Sequence, residues 1–235
     1  MPDRPVSGRI SRMKKEYRYE LHLHTSETSP CGQVSGAQGA LLYAEAGYDA
    51  ICVTDHYYRQ IADHLPGRNT AGRVTSWLSG YRAAREEGVR LGIEVLLGME
   101  LRFDGSQNDY LVFGMDERLL VDHPDLYRLD PERFRALADE QGLIVVQAHP
   151  YRPGCTPADP VWMDGIETWN GNPRHDSRND RAQSLAARYP RLLRVAGSDF
   201  HQPGDVASAA MLSDHLAKDA ASLATLLRDG QLRIA

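Results

Sequence analysis

Histidine and carboxylate side chains stand at the ends of five short apolar segments of this sequence. The five motifs are Leu21-His22-Leu23-His24, Thr54-Asp55-His56, Gly98-Met99-Glu100, Ala148-His149-Pro150 and Gly197-Ser198-Asp199-Phe200-His201. They contain five of the nine histidines of the chain, which is not expected of a scattered surface population. The C-terminal ends of the strands of an α/β barrel converge on one face, so the motifs are predicted to share one pocket.

Strand-like and helix-like segments alternate between these motifs. Apolar runs predict strands at residues 19–24, 50–53, 95–99, 110–113, 143–147, 165–168 and 193–196. Helical spacing and capping residues predict helices at residues 37–46, 74–91, 131–141, 176–188 and 219–228. Residues 60–72 and 116–130 are rich in Asp, Pro, Gly and Arg and are interpreted as long loops. The alternation predicts parallel strands with helices outside them, in a closed barrel or an open doubly wound sheet.

The length and composition of the chain predict a single soluble domain with one large core. The 235 residues are 42% hydrophobic and 25% charged, and no apolar run approaches the ~20 residues needed to cross a bilayer. The first 20 residues lack the apolar centre of a secretory signal. We therefore expect a cytoplasmic protein without a membrane partner.

Charge and cysteine content argue against two further classes of protein. The net charge of -5 provides no field that attracts a polyanionic duplex. The basic cluster at residues 12–18 is interpreted as part of a solvated N-terminal arm, residues 1–18, so no stable nucleic-acid partner is expected. Cys31, Cys52 and Cys155 are an odd number without C-x-x-C spacing, which argues against a disulfide framework and a structural zinc knuckle.

The residue types in the five motifs are those of a metal centre. Every second residue of a strand points to the same side, so His22 and His24 can chelate one ion, and Asp199 and His201 repeat the spacing. Nitrogen and carboxylate donors suit Zn, Mn or Fe. Glu100 offers two oxygens and can bridge neighbouring cations, as in two-metal hydrolysis. A single strand-end histidine is more often a structural residue, and it is the coincidence of five motifs that favours ligands.

In their order and approximate spacing these motifs resemble those of the PHP (polymerase and histidinol phosphatase) superfamily, which begin with His-x-His and end with Asp-x-His. The likeness runs from residue 19 to about residue 205. It implies a PHP-type hydrolase domain over residues 19–235, folded as an α/β, distorted seven-stranded (β/α)7 barrel. It also implies two or three divalent metal ions (Mn, Zn or Fe) and hydrolysis of a phosphate ester.

The resemblance assigns the ligands of two of these metals. His22, His24 and Asp199 match the ligands of the first metal. Glu100 matches the carboxylate that bridges to the second metal, and His149 matches a ligand of that second metal.

A third metal position is less completely matched. His56 and His201 match its ligands, but family members often carry a further His or Asp shortly after His-x-His-Thr. Here Glu27 and Cys31 are the candidate replacements. Asp109 stands where members often place a histidine, and it is a further candidate ligand whose alternative is a loop-end carboxylate facing water.

Three arginines follow predicted strand ends and are candidate phosphate ligands, because a guanidinium binds phosphate through two hydrogen bonds. They are Arg102, Arg152 and Arg174, with Asn170 and Asn172 nearby in the sequence. The alternative for each arginine is an ordinary surface position.

The hypothesis that follows is a phosphoesterase acting on a phosphate monoester, either a small phosphorylated metabolite or a nucleotide. A metal-bound hydroxide attacks phosphorus, and His201 or His56 protonates the leaving oxygen if the third metal is absent.

Three alternative functions compete with this hypothesis. A noncatalytic PHP-like binding or regulatory module is opposed by the intact set of motifs. A thiolate phosphatase is opposed because Cys31 lacks a phosphate-cradling loop with an arginine. A zinc amidohydrolase shares a related barrel, but it commonly uses a carboxylated lysine on a middle strand, and no predicted strand here ends in lysine.

Overall fold

Seven strands form the wall of a nearly closed barrel, and they follow one another around it in chain order. The computed structural model describes residues 15–235; residues 1–14, most of the predicted N-terminal arm, lie outside the described residues. The seven strands are β1 (Tyr17–Leu23), β2 (Ala50–Val53), β4 (Glu94–Arg102), β5 (Asp109–Phe113), β6 (Ile144–Gln147), β7 (Gly165–Asn170) and β8 (Leu193–Gly197). A parallel bridge between Leu23 and Phe200 joins the end of β1 to the segment that follows β8. The predicted distorted (β/α)7 barrel is confirmed.

Three short strands extend this wall. They are β3 (His56–Tyr57), which pairs with β4, and the antiparallel pair β9 (Met211–Ser213) and β10 (Arg233–Ile234) beside β1. None of the three was predicted, because two or three residues are too few to show strand periodicity.

The expectation of parallel strands throughout is wrong at β5. This strand runs antiparallel to both β4 and β6. Only residues 103–108 connect β4 to β5, and a connection this short makes a hairpin, whereas a parallel neighbour needs a crossover of a dozen or more residues.

Eight helices occur among the described residues. They are α1 (Gly36–Glu45), α2 (Arg59–His64), α3 (Thr70–Trp77), α4 (Ser79–Leu91), α5 (Glu117–Asp122), α6 (Pro131–Gln141), α7 (Asn179–Arg188) and α8 (Ala220–Arg228). No helix in this part of the chain is both long and apolar enough to cross a membrane.

The helix predicted at residues 74–91 and the two predicted loops need correction. The chain turns at Leu78, which separates α3 from α4, and α3 begins earlier because the Asn69 side chain caps it by accepting from Gly72 N–H. The loop at residues 60–72 contains most of α2 and the start of α3. The loop at residues 116–130 contains α5, whose first turn is capped by the Asp116 side chain.

Close packing of α1 against α4 positions the loop that follows β1. A Cβ atom on Gly36 would lie 2.1 Å from the carbonyl oxygen of Gly80, and one on Gly80 would lie 1.9 Å from Thr25 Oγ1. Both positions therefore need glycine. Along β1 itself, Tyr19 and Leu21 pack into the apolar core, and the residues that alternate with them make the polar contacts described below.

Candidate metal centre

The seven side chains predicted as metal ligands come together at one end of the barrel. They form overlapping groups in which one donor atom from each member lies within 4.8 Å of the others. The groups are His22, His24 and Asp199; His22, Glu100 and His149; His24, His56 and His201; and His56, Glu100 and Asp109. Asp109, a further candidate from the sequence, thus also reaches the cluster.

Two of these residues have unusual backbone conformations. His149 and Asp199 have positive φ angles of 28° and 50°, which residues other than glycine seldom adopt. Each follows the end of a strand, β6 and β8 respectively. Strain of this kind is retained where the surrounding structure fixes it, and it is common at functional sites.

The Glu100 carboxylate lies at the centre of the cluster. Its Oε1 is 3.3 Å from His22 Nε2 and 3.2 Å from His149 Nε2. Its Oε2 is 2.8 Å from His56 Nδ1 and 3.3 Å from His24 Nε2. The two oxygens therefore face different pairs of imidazoles, which is the arrangement of a bridging carboxylate.

Several donor atoms in the cluster are buried without a hydrogen-bond partner. These atoms are His22 Nε2, His24 Nε2, His56 Nδ1 and Glu100 Oε2. The 2.8 Å approach of His56 Nδ1 to Glu100 Oε2 does not have the geometry of a hydrogen bond. Leaving a buried polar atom unpaired costs about 1–3 kcal/mol, and folded proteins seldom leave several together. Because four such atoms converge on one space, these residues are suited to bind divalent cations.

The charges of the cluster are strongly coupled. Burial opposes ionisation of Asp199, but His22, His24 and Arg152 hold the pKa of its carboxyl well below the usual range. The pKa of Glu100 is likewise held low, against burial, by His56 and His22. Both carboxylates are therefore ionised at neutral pH, as metal ligands must be.

The imidazoles respond to those carboxylates. Burial lowers the pKa of His22, but Asp199, Glu167 and Glu100 raise it well above the ordinary value. The pKa of His149 is raised to about 9, against burial, by contacts with Cys155 and Glu100. The cluster therefore attracts cations, and protons compete with metals for it.

Two buried carboxylates outside the predicted set orient the ligands. Glu167 Oε1 is 2.9 Å from His22 Nδ1, and its Oε2 accepts from the backbone N–H of His149 at 2.8 Å. Glu20 accepts from the backbone N–H groups of His22 and Ser198 at 2.7 and 2.9 Å. Neither glutamate is predicted from the sequence as part of the site. The signal that could have identified each one is a glutamate within an otherwise apolar strand.

Asp55 fixes the loop after β1. Its carboxylate accepts from Thr25 N–H at 2.7 Å, from Thr25 Oγ1 at 2.6 Å and from Ser29 Oγ at 2.7 Å. Ser29 Oγ in turn accepts from the backbone N–H of His56 at 3.1 Å. Asp55 therefore supports the neighbouring ligands through its hydrogen bonds to this loop.

The three candidate phosphate ligands differ in their surroundings. Arg102 is paired through two hydrogen bonds of 2.7 Å with Asp109. Arg174 is paired with Asp205 at the edge of the site. Arg152 donates to Asp199 Oδ2 at 2.6 Å, and its Nε is buried without a partner. Only Arg152 of the three thus combines contact with a metal-ligand candidate and an unused buried donor.

Asn170 and Asn172, which are near these arginines in the sequence, also contact Asp199. Asn170 Oδ1 accepts from Arg152 at 3.0 Å, and Asn170 Nδ2 donates to Asp199 Oδ2 at 3.3 Å. Asn172 Nδ2 donates to the Asp199 carbonyl oxygen at 2.9 Å. They support the strained backbone at that residue.

The two loop residues predicted as possible ligands of a third metal, Glu27 and Cys31, differ in position. Both carboxylate oxygens of Glu27 accept from Gly36 N–H, at 3.1 and 3.0 Å, so this side chain lies at the start of α1 and away from the cluster. Cys31 is exposed, and its Sγ is in none of the groups of donor atoms that lie within 4.8 Å of one another. Burial opposes ionisation of Cys31, but interactions with the imidazoles of His201, His56 and His24 lower its pKa to about 5.

Comparison with protein families identifies this arrangement. The PHP domain profile matches residues 20–225 of the sequence. The chain belongs to the PHP domain family. A search of curated proteins returns no significant match.

Solved structures share the fold of this PHP domain at low sequence identity. A two-domain protein from Bacteroides vulgatus ATCC 8482, described as containing a predicted PHP-like metal-dependent phosphoesterase, matches with a TM-score of 0.65 and 17% identity over 94% of this chain. The lesion-specific endonuclease PfuEndoQ from Pyrococcus furiosus matches with a TM-score of 0.61 and 13% identity, also over 94%. The present chain spans 65% and 58% of the lengths of those two proteins.

A third structure has a similar length. It is an amidohydrolase from Chromobacterium violaceum with bound sulfate and no metal, with a TM-score of 0.55 and 16% identity over 92% of this chain and 97% of that one. All three likenesses establish the fold of the PHP domain and leave its reaction to be argued from the site.

Proposed function

We propose that this PHP domain is a metal-dependent phosphoesterase that hydrolyses a phosphate monoester of a small metabolite or nucleotide. The observation that carries the proposal is the position of Glu100, whose two oxygens face different pairs of imidazoles, three of which have an unpaired buried nitrogen. That geometry suits adjacent divalent cations. We propose a small substrate in the cytoplasm rather than a stable nucleic-acid complex, because the net charge is -5.

The chain's own residues would divide the binding of two or three ions of Mn, Zn or Fe. His22, His24 and Asp199 would hold the first, Glu100 and His149 the second, and His56 and His201 any third, as grouped above. Such ions, when bound, polarise phosphoryl oxygens and lower the pKa of water to near neutrality.

The unpartnered Nε of Arg152 favours a phosphate substrate over an amide. This buried donor lies on a side chain that is 2.6 Å from Asp199, so the guanidinium can bind an anionic oxygen beside the metals. A carbonyl oxygen of an amide carries no full charge and makes less use of a buried guanidinium.

His201 has the geometry to deliver a proton to the leaving oxygen. Its Nδ1 donates to the Asp199 carbonyl oxygen at 2.8 Å, so Nε2 is the atom that gains and releases the second proton of the ring. His56 is the second candidate, and both side chains are partly exposed at 13%. Burial lowers the pKa of His56, but Glu100 raises it well above the ordinary value, and the pKa of His201 is also raised, against burial, by Cys31 and Asp199. Both imidazoles are therefore protonated more readily than an ordinary histidine, which suits the role of an acid.

The test is turnover of matched substrates by the metal-free and reloaded protein. We would compare 4-nitrophenyl phosphate, bis(4-nitrophenyl) phosphate and a 4-nitroanilide, with metal content measured after chelation and after restoration of Mn, Zn or Fe. We expect monoester hydrolysis to require metal and to exceed cleavage of the other two substrates.

A matched pair of variants completes the test. The variant Glu100→Gln keeps the side-chain shape and removes the charge, so activity should fall more than about a hundredfold, beyond the usual cost of losing an outer-shell partner. The exposed variant Glu132→Gln should retain activity. Preferential cleavage of the diester or the anilide would overturn the bond class, and bound metal without any turnover would identify a noncatalytic module.

A further inference from the structure

The segment that follows β8 carries a completely buried carboxylate, that of Asp205, which binds the backbone of His201. Its Oδ2 accepts from the N–H groups of His201 and Gln202 at 2.9 and 3.0 Å. Its Oδ1 accepts from the Arg174 guanidinium. A buried carboxylate is strongly unfavourable without such partners, so the two N–H groups and the arginine together keep Asp205 in place.

His201 is held at three points, which together fix where its Nε2 lies. Its N–H donates to Asp205 Oδ2, and its carbonyl oxygen accepts from Gln33 N–H at 2.7 Å. Its ring Nδ1 lies 2.8 Å from the Asp199 carbonyl oxygen. Of these three contacts, only the one to Asp205 depends on the side chain of the partner residue. It is therefore the contact that a substitution can remove.

The loop between β7 and α7 holds the Asp-x-His motif from both ends. Asn172 Nδ2 donates to the Asp199 carbonyl oxygen at 2.9 Å, and Arg174 holds Asp205, which in turn holds His201. Arg174 N–H donates to Asn172 Oδ1 at 3.0 Å, so both supports belong to one turn of that loop. The guanidinium of Arg174 is thus engaged in the support of the motif, whereas Arg152 has the unpaired buried Nε.

We propose that Asp205 is a positioning residue for His201, and that Arg174 acts through Asp205 rather than on the phosphoryl group. The inference rests on the proposed function, in which His201 delivers a proton to the leaving oxygen. Asp205 fixes the backbone from which the ring projects, and misplacement of a reacting group by about 1 Å can cost roughly a hundredfold in rate. Arg174 supplies the countercharge for this buried carboxylate, and ionised acceptors make the stronger hydrogen bonds.

The leaving group of the substrate provides a readout that a general loss of structure does not reproduce. The 4-nitrophenolate ion is a weak base that leaves without a proton, whereas phenolate is a stronger base that needs one. In metal-reloaded Asp205→Asn we expect kcat for phenyl phosphate to fall at least about tenfold and kcat for 4-nitrophenyl phosphate less than about threefold, because a general acid contributes about 10²–10⁴-fold. A destabilised protein would lose both activities in proportion.

A double variant tests the contact between the two side chains. In Asp205→Asn the new NH₂ group faces the guanidinium, so two donors oppose each other. When Arg174→Gln is added, the glutamine oxygen can accept from that NH₂ group. We expect the double variant to be at least about threefold more active on phenyl phosphate than Asp205→Asn, because residues in contact are coupled. Inhibition of Arg174→Gln alone by inorganic phosphate should stay near that of wild type.

Nuclear magnetic resonance of the metal-free protein provides a readout without turnover. The amide protons of His201 and Gln202 donate to a carboxylate, so they should resonate at low field and move upfield in Asp205→Asn, whose neutral oxygen is the weaker acceptor. The control Glu117→Gln removes the charge from an exposed ion pair with Arg82. It should change neither these resonances nor the ratio of the two activities.

The outcomes separate this inference from the proposed function. Parallel loss of both activities, no recovery in the double variant, unchanged amide resonances or weaker phosphate inhibition in Arg174→Gln would each overturn the positioning role and leave the phosphoesterase proposal intact. Absence of turnover by metal-loaded wild type would overturn both. If Asp205→Asn does not fold, Arg174→Gln, which keeps both N–H contacts of Asp205, should show a smaller loss confined to phenyl phosphate, and an equal loss on both substrates would overturn the role.

Discussion

The carboxylate of Glu167 holds Nδ1 of His22 at 2.9 Å and, through its other oxygen, the backbone N–H of His149 at 2.8 Å. One side chain on β7 thus orients candidate ligands from two other parts of the barrel. A hydrogen bond at Nδ1 places the proton there and leaves Nε2 of His22 free to bind metal.

Replacing this carboxylate should weaken metal binding. The variant Glu167→Gln has one acceptor oxygen in place of two, so either His22 or the His149 N–H loses its partner. We expect metal affinity to fall about 10- to 100-fold, measured by competition with a chromophoric chelator. The variant Glu94→Gln, which removes a carboxylate near the surface on β4, is the control. Unchanged affinity in Glu167→Gln would contradict the orienting role.

The metal-ligand candidates can be predicted from the sequence, but the carboxylates that orient them cannot. His22 and His24 are found from local strand periodicity, and their convergence with Glu100 follows from the rule that strand ends meet on one barrel face. The partner of Glu167, however, lies 145 residues away in the sequence. Such a pairing depends on which strands become neighbours, and local pattern does not specify this.

The direction of β5 shows the same limit. Residues 110–113 are apolar enough to predict a strand, but the sequence pattern of a strand is the same in either direction. The short connection at residues 103–108 was the only local indication of a hairpin.

Glu20 should be essential for stability as a hydrogen-bond acceptor. It accepts from the N–H groups of His22 and Ser198 and from the hydroxyls of Ser198 and Tyr43, and it is completely buried. The variant Glu20→Ala leaves two buried N–H groups unpaired at about 1–3 kcal/mol each, so the free energy of unfolding should fall by about 2–6 kcal/mol. Urea denaturation measures this loss.

The amide variant is the matched control for that experiment. In Glu20→Gln the oxygen can still accept from both N–H groups, while the NH₂ donates to hydroxyl oxygens that can rotate. We expect most of the stability to be retained. A loss equal to that of the alanine variant would show that charge, rather than acceptor geometry, determines the contribution of Glu20.

The same residue should make stability depend on pH. Burial raises the pKa of Glu20 from 4.5 to about 7, and hydrogen bonds from Ser198 only partly oppose this shift. Because the folded-state pKa is the higher one, the stability contributed by the protonated carboxyl is complete below pH 4.5 and is lost as the pH rises through about 7. Relative to wild type, metal-free Glu20→Gln should therefore become more stable across this window, and a constant difference would contradict the shift.

Metal binding should stabilise the fold as well as enable turnover. The unpaired buried atoms of His22, His24 and Glu100 acquire partners only when the cluster is occupied. At a free metal concentration about 100 times the dissociation constant, linkage predicts about 2.7 kcal/mol of added stability. Thermal denaturation before and after chelation, repeated with Glu100→Gln, measures the effect. Equal melting temperatures with and without bound metal in wild type would contradict it.

Arg152 should bind the phosphoryl group through its guanidinium, and its two functions can be separated by substitution. The variant Arg152→Lys keeps the positive charge beside Asp199 but lacks the planar pair of donors that includes the unpaired Nε. A hydrogen bond to a charged group contributes about 1.5–3 kcal/mol, so inhibition by inorganic phosphate should weaken roughly 10- to 100-fold while metal content stays near that of wild type.

The neutral variant Arg152→Gln should show the second function. Arg152 helps to hold the pKa of the Asp199 carboxyl low, so its loss should favour protonation of Asp199 and weaken the metal held there as the pH falls. The conservative variant Arg178→Lys, at an exposed position before α7, should change neither property. Full phosphate inhibition in Arg152→Lys would place the anion elsewhere, because a lysine at this position has no atom equivalent to Nε.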